Sequence, residues 1–170
     1  MSPRNLRFNF GYLLEASPGT RSTIQIDYPS IQLDDVTLKP LQGEFEAVRT
    51  GEGILVRGNF NSNLNAECVR CLTDYVQPIA FEVQEIFYYP AYIAPPESFV
   101  IHDDGNADLG PLIREVSLLA MPMKPLCRED CLGLCDQCGK NLNEGPCECE
   151  KDDIDPRLSA LKRLLEQTKE

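Results

Sequence analysis

Cysteine is the residue type through which this chain is best equipped to do chemistry. Six of its eight cysteines lie between Cys127 and Cys149. Among them, Cys135 and Cys138 form a Cys-x-x-Cys motif that Gly139 follows directly. This pattern is typical of a zinc knuckle, a tight turn that presents two thiolates to one ion and in which glycine supplies a positive φ angle. The stretch therefore predicts metal binding.

Eight cysteines divide into two sets of four, which is the number of ligands that closes a structural zinc site. One set is local in sequence and consists of Cys135, Cys138, Cys147 and Cys149. The other set joins an upstream Cys-x-x-Cys motif to the downstream stretch and consists of Cys68, Cys71, Cys127 and Cys131. The sequence thus predicts two structural zinc ions per chain and no other cofactor.

Spacing alone leaves other arrangements open. The upstream Cys-x-x-Cys pair could share an ion with Cys135 and Cys138 instead. Alternatively, Cys127 or Cys131 could be an unligated surface thiol, in a chain with one metal site. A thioredoxin-like redox role for the upstream pair has less support, because that motif opens a helix after a strand and the surroundings here are antiparallel strands.

Composition indicates a cytoplasmic protein outside the membrane. The chain is 42% hydrophobic and 25% charged, values typical of soluble globular proteins. No apolar run approaches the roughly 20 residues that cross a bilayer, and the first residues contain no apolar signal-peptide core. In a reducing cytoplasm, cysteines at these spacings favour metal over disulfides.

The charge of the chain argues against direct RNA binding. Its formal net charge is −11, and its 16 lysines and arginines are scattered along the sequence. Eight thiolates add eight negative charges and two zinc ions add four positive ones, which brings the total to −15. Proteins that bind nucleic acid through its phosphates present a basic face. Protein partners are therefore the better prediction.

Alternation of apolar and polar residues predicts a mostly antiparallel sheet. The clearest hairpin joins residues 44–49 to 54–60 through the polar, glycine-containing segment 50–53. A further strand at 79–89 follows, so that Cys68 and Cys71 are expected at the tip of the next hairpin.

Two helices complete the predicted α+β fold. The first, at residues 109–121, places its apolar residues on one packing face: Leu112, Ile113, Val116, Leu119 and Ala120. The second is an amphipathic C-terminal helix at residues 155–167. We expect a sheet domain at 1–121 that carries this first helix and the knuckle at 68–71, and a cysteine-rich zinc module with the C-terminal helix at 122–170.

Nothing in the sequence predicts catalysis. His102 is the only histidine, and it lies beside Asp103 and Asp104 in a polar segment with no evident nucleophile. Phosphate-binding loops and the common hydrolase and metalloprotease motifs are absent from the sequence. We therefore expect a protein that is not an enzyme.

Several motifs together resemble a known family. They include LAMPMKPLC at 119–127, CLGLCDQCG at 131–139, CEC at 147–149, IDPRL at 154–158 and CVRC at 68–71. On these residues the chain resembles the bacterial YceD family, the large ribosomal RNA subunit accumulation proteins. The resemblance covers nearly the whole chain and is most specific in the cysteine stretch.

The resemblance implies a non-enzymatic role in making or stabilising large-subunit ribosomal RNA. Combined with the acidic charge, it predicts a ribosome-assembly factor that acts through protein contacts with a ribosomal precursor or with ribosomal proteins. Two alternatives from other classes are an RNA-processing enzyme, which requires a base or a carboxylate cluster in a cleft, and a redox-responsive or zinc-responsive regulator.

Overall fold

The computed structural model describes residues 6–149 of the chain. The first part contains β1 (Arg7–Asn9), α1 (Gly11–Leu14), β2 (Arg21–Tyr28), β3 (Ile31–Leu33), β4 (Val36–Leu38) and β5 (Leu41–Arg49). It continues with β6 (Gly53–Glu67), β7 (Asp74–Tyr88), β8 (Asn106–Asp108) and α2 (Gly110–Leu119). Short 3₁₀ helices occupy Ala91–Ile93 and Leu142–Glu144.

The centre of the fold is a four-stranded antiparallel sheet in the order β2-β5-β6-β7. Apolar and polar residues alternate along its strands because one face of the sheet is packed and the other faces water. The buried face carries large aromatic side chains, among them Phe45, Phe60 and Phe87, and the open face carries polar ones. The predicted hairpin is present, with Arg49 paired to Ile54 across its turn.

The strands β6 and β7 form one long hairpin of 15 residues on each side, a length of about 50 Å at 3.3 Å per residue. Strand β5 accompanies β6 only as far as Ser62, so the far end of the hairpin has two strands. For β7, the second strand of this hairpin, sequence analysis predicted a shorter strand that begins at residue 79. Pro78 is nevertheless accommodated, since β7 is an edge strand of this sheet and needs no N–H donor on its outer side.

Smaller elements cover the packed face of the sheet. The helix α2 contacts β7 and β3, and α1 contacts β5 and β6. Helix α2 begins where Asp108 Oδ1 accepts a hydrogen bond of 2.8 Å from the Gly110 amide. The predicted packing face was wrong at one residue: Leu119 is 83% exposed and Ser117 is buried instead. Ser117 tolerates burial because its hydroxyl donates to the carbonyl of Arg114.

The α+β class with a mostly antiparallel sheet is confirmed. The predicted helix at 109–121 is shorter in the structure, where it spans Gly110–Leu119. The predicted helix at 155–167 lies outside the described residues, and the division into two domains stays a prediction. Within residues 6–149, no helix combines the length and the apolar character needed to cross a membrane.

Candidate metal centres

The structure brings the cysteines together in two groups of four. The first group, here called site 1, consists of Cys68, Cys71, Cys127 and Cys131, and all four sulfur atoms lie within 4.8 Å of one another. Its upstream pair occupies the turn of the β6–β7 hairpin, and its downstream pair follows α2. The Sγ atoms of Cys68 and Cys131 are 3.8 Å apart, and those of Cys71 and Cys127 are 3.7 Å apart.

The second group, here called site 2, is formed by one short segment. It consists of Cys135, Cys138, Cys147 and Cys149, with all four sulfur atoms again within 4.8 Å of one another. The Sγ atoms of Cys135 and Cys147 are 3.5 Å apart. Sequence spacing favoured these two groupings, and the open alternative that paired the upstream motif with Cys135 and Cys138 does not match the structure.

The sulfur geometry fits a tetrahedral ion. Four thiolates at about 2.3 Å from zinc define a tetrahedron with edges of about 3.8 Å, close to the sulfur separations in both sites. A disulfide requires about 2.05 Å between sulfur atoms, and all eight cysteines are free thiols. Both groups could therefore hold a metal ion, and a set of four thiolates suits zinc.

The backbone of the upstream motif forms the turn expected of a zinc knuckle. The amide of Cys68 donates to the carbonyl of Thr73 at 3.0 Å, and the amide of Leu72 donates back to the carbonyl of Cys68 at 2.9 Å. Leu72, the residue directly after the second cysteine, has a φ angle of 56°. This left-handed conformation is unusual for a leucine.

The downstream motif forms the same turn, with glycine instead of leucine at the position directly after its second cysteine. The amide of Cys135 donates to the carbonyl of Lys140 at 2.8 Å, and the amide of Gly139 donates to the carbonyl of Cys135 at 2.9 Å. Gly139 has a φ angle of 70°, which glycine adopts without strain. The two Cys-x-x-Cys motifs thus share one backbone conformation, and that conformation aims both sulfurs of each motif to the same side.

The two sites differ in burial. In site 1, three of the four cysteines are buried, and Tyr75, Leu126 and Leu134 pack around them. In site 2, only Cys135 is buried, and Cys138 is exposed. An ion in site 1 would be enclosed by protein, whereas one in site 2 would lie near water.

Backbone contacts connect the hairpin tip to the segment after α2. The amide of Val69 donates to the carbonyl of Pro125 at 3.0 Å, and the amide of Leu134 donates to the carbonyl of Arg70 at 3.0 Å. The Arg70 guanidinium also donates to the carbonyl of Cys131 at 2.8 Å. These hydrogen bonds bring the distant cysteine pairs of site 1 to one place.

Each site contains two thiols whose pKa values are shifted in opposite directions. The Cys127 backbone amide, donating to the Cys68 sulfur, lowers the pKa of Cys68 to about 6. Burial, together with the neighbouring sulfurs, raises the pKa of Cys127 to about 12. In site 2, the Cys138 amide lowers the pKa of Cys135 to about 7, and the Cys138 sulfur raises the pKa of Cys149 to about 12. Without a cation, thiols packed this closely do not all lose their protons, because neighbouring thiolates repel one another. A bound divalent cation offsets that repulsion and favours the thiolate form of all four.

Sequence analysis missed the polar residues that support the sites. Arg70 was visible only as the interior of a Cys-x-x-Cys motif, and its bond to a distant carbonyl has no local signal. Asn143, which contacts the Cys131 sulfur at 3.4 Å, lies in the loop between the two cysteine pairs of site 2. The only available signal was its position between ligands, where a polar side chain is well placed to contact sulfur.

Comparison with protein families supplies an identity for this arrangement. Residues 56–165 match the family described as large ribosomal RNA subunit accumulation protein YceD. The chain belongs to the YceD family. The matched region contains all eight cysteines and both Cys-x-x-Cys motifs, so membership and the two sites concern the same part of the molecule.

Related proteins occur in bacteria and in a plant. An uncharacterized protein of Mycobacterium leprae is 32% identical over 158 residues, which cover 87% of this chain and 72% of the relative. The uncharacterized protein YlbN of Bacillus subtilis is 31% identical over 136 residues, 78% of this chain and 72% of the relative. A chloroplastic YCED homolog 1 of Arabidopsis thaliana, named large ribosomal RNA subunit accumulation protein, is 33% identical over 60 residues, 35% of this chain and 19% of the relative. No solved structure matches this chain.

Proposed function

We propose that this YceD-family protein is a non-enzymatic, zinc-binding factor that supports the accumulation of large-subunit ribosomal RNA and the assembly of the ribosome. The single observation that carries the proposal is the family match over residues 56–165, whose description names accumulation of the large ribosomal RNA subunit. The name of the Arabidopsis relative points the same way. We further propose that the protein acts in the cytoplasm through contacts with ribosomal precursors or ribosomal proteins.

The arrangement of the cysteines supports a structural role for zinc. Each site offers four sulfur ligands, and four protein ligands complete a tetrahedral coordination shell. A catalytic zinc site keeps one coordination position open for water or substrate. Four thiolates occupy all four positions and leave none open. Zinc in these sites would hold the hairpin tip and the cysteine segment in place, since a structural ion contributes directly to folding.

The distribution of basic side chains supports protein contacts over direct binding to RNA. Each of the seven arginines within residues 6–149 donates a hydrogen bond to an acceptor of the chain itself. Five of them lie beside carboxylates, which offset their charge: Arg7, Arg21, Arg57, Arg114 and Arg128. Binding to RNA phosphates depends on basic groups that displace counterions, and these arginines already have acidic partners in a chain of net charge −11.

Binding titrations test the proposal. Purified full-length protein would be titrated against large-subunit ribosomal RNA at physiological salt, first bare and then carrying ribosomal proteins. We expect weak binding to bare RNA and tight binding when ribosomal proteins are present. Submicromolar binding to bare RNA would contradict the role of protein contacts. A chain that binds neither form, and whose loss leaves the level of large-subunit RNA unchanged in cells, would contradict the function itself.

One observation favours a second candidate, a redox-responsive regulator. Cys138 of site 2 is exposed, so an oxidant could reach it without unfolding the protein. Exposure of the protein to mild peroxide, followed by a zinc assay and then by reductant, separates the two functions. Zinc that stays bound favours the assembly factor, whereas release that reductant reverses favours the regulator.

A further inference from the structure

The side chain of Asn143 reaches from the loop of site 2 to a sulfur of site 1. In sequence, Asn143 lies between Cys138 and Cys147, two cysteines of site 2. In space, its Nδ2 atom donates a hydrogen bond to the Sγ atom of Cys131, a site 1 cysteine, at 3.4 Å. One side chain therefore touches one site while both ends of its loop belong to the other.

The loop holds Asn143 in a defined orientation. Both its backbone amide and its Nδ2 atom donate to the Oδ1 atom of Asn141, at 3.1 Å and 2.7 Å. The amide of the intervening Leu142 donates to the carbonyl of Gly133 at 2.9 Å. These bonds anchor the short 3₁₀ turn Leu142–Glu144 and fix the direction in which the Asn143 side chain leaves the backbone.

The other end of the Asn143 amide binds the segment that carries the site 1 cysteines. Its Oδ1 atom accepts hydrogen bonds from the amide of Leu132 at 2.9 Å and from the Arg128 guanidinium at 2.7 Å. These two residues immediately follow Cys131 and Cys127, respectively. Asn143 thus contacts a site 1 sulfur with its nitrogen and the neighbouring backbone with its oxygen.

Such a contact matters most for a thiolate that binds metal. Side chains that donate hydrogen bonds to metal ligands orient them, and their removal costs about 10- to 100-fold in metal affinity. An ion in site 2 would fix both ends of the loop through Cys138 and Cys147. Placing Asn143 beside Cys131 costs conformational entropy, and the ion in site 2 would already have imposed that cost on the loop. An ion that then binds site 1 would do so with a smaller entropic penalty.

We propose that Asn143 is a positioning residue that couples the two metal sites, so that an ion in either site raises the affinity of the other. The coupling acts in both directions by the same factor, because linkage between two binding equilibria is reciprocal. This inference rests on the proposed function only in requiring that both sites bind metal.

Cobalt(II) titration of the metal-free full-length chain, in competition with a chelator, tests the coupling. One variant with Cys68→Ser and Cys71→Ser keeps only site 2, and another with Cys147→Ser and Cys149→Ser keeps only site 1. With Asn143 present, we expect the two-site protein to bind its second ion about tenfold or more tightly than the single-site constants predict. In Asn143→Ala protein, we expect this excess affinity to disappear.

Two further variants distinguish positioning from general support of the fold. Asn143→Asp keeps an oxygen acceptor for Leu132 and Arg128 but replaces the nitrogen donor with a negatively charged oxygen facing the sulfur. It should weaken site 1 at least as much as Asn143→Ala does, whereas a role confined to the hydrogen bonds that Oδ1 accepts from Leu132 and Arg128 would be preserved. Glu144→Gln, at an exposed position of the same loop, is the matched control and should keep the full excess affinity.

A measurement on the unmutated protein guards against variants that fail to fold. With an NMR-active cadmium isotope in both sites, a side-chain amide proton of Asn143 should show scalar coupling to the site 1 cadmium through the hydrogen bond to sulfur. Absence of that coupling, or excess affinity that survives in Asn143→Ala, overturns the inference. A wild-type chain that binds fewer than two cobalt ions would instead contradict the metal sites of the proposed function.

Discussion

Sites 1 and 2 offer the same four ligands and share the same knuckle turn, yet they have different places in the fold. Site 1 joins cysteines that are 56 and 63 residues apart in sequence. Site 2 closes a loop in which sulfurs in contact are 12 residues apart. One motif thus serves two purposes: site 1 connects distant parts of the chain, and site 2 organises its own segment.

Burial follows the same division. Site 1 lies within a small apolar cluster at the end of a two-stranded hairpin, whereas site 2 is partly open to water. An ion that closes a long loop removes more conformational freedom from the unfolded chain than one that closes a short loop. We therefore expect zinc in site 1 to affect the whole molecule, and zinc in site 2 to act on its own segment and, through Asn143, on the neighbouring site 1.

The largest effect is expected from Cys68→Ser, which removes a buried ligand of site 1. We predict that bound zinc falls from two ions to one and that Tm falls by about 10 °C or more. Amide hydrogens of residues 122–134 should exchange faster, because this segment would no longer be held against the hairpin tip. Full zinc content with unchanged melting would show that site 1 does not join the two parts.

A smaller effect is expected from Cys147→Ser in site 2. This variant should also lose one of two zinc ions, but its Tm should fall by less than about half as much, because only a local loop is released. Hydrogen exchange of strands β6 and β7 should match the wild type. An equal loss of Tm in the two variants would remove the distinction between a connecting and a local site.

The two sites should release zinc to a strong chelator at different rates. We predict two phases of equal amplitude, the second about tenfold or more slower, since an enclosed ion is released only after local opening of the protein. The Cys147→Ser protein should show only the slow phase and the Cys68→Ser protein only the fast one. Release in a single phase from the wild type would contradict the difference in burial.

The smallest effects concern the residue after each Cys-x-x-Cys motif. An added Cβ atom at Gly139 meets no other atom within 4 Å, so Gly139→Ala should cost only the backbone strain of a left-handed residue, about 1 kcal/mol. Leu72→Gly relieves that strain in the other knuckle and should change stability by less than about 1 kcal/mol. Denaturant unfolding measures both, and a large loss in Leu72→Gly would show that the exposed leucine has another role.

Local patterns in the sequence were sufficient to predict much of the fold and the grouping of the cysteines. The hairpin around residues 50–53 follows from alternation and turn chemistry over a few residues. The position of Cys68 and Cys71 in a hairpin turn follows from the strands on either side. Two sets of four cysteines follow from the count and from the four-ligand requirement of a closed zinc site.

Features that depend on tertiary contacts were not accessible in the same way. Leu119 has the apolar spacing of a packed residue, but α2 ends there and the sheet covers a face centred on other positions. Leu72 adopts a left-handed conformation that its side chain does not favour, because the knuckle turn imposes it. Asn143 contacts a sulfur that is 12 residues away in sequence, and no periodicity connects the two.

The central claim is that the chain contains two closed metal sites, and native mass spectrometry of the wild-type protein tests it most directly. The protein would be purified without added metal under reducing conditions, and its mass compared before and after acid denaturation. We predict two zinc ions per chain and eight free thiols once the metal is removed. A single ion, or a metal-free chain whose cysteines form disulfides, would contradict the account.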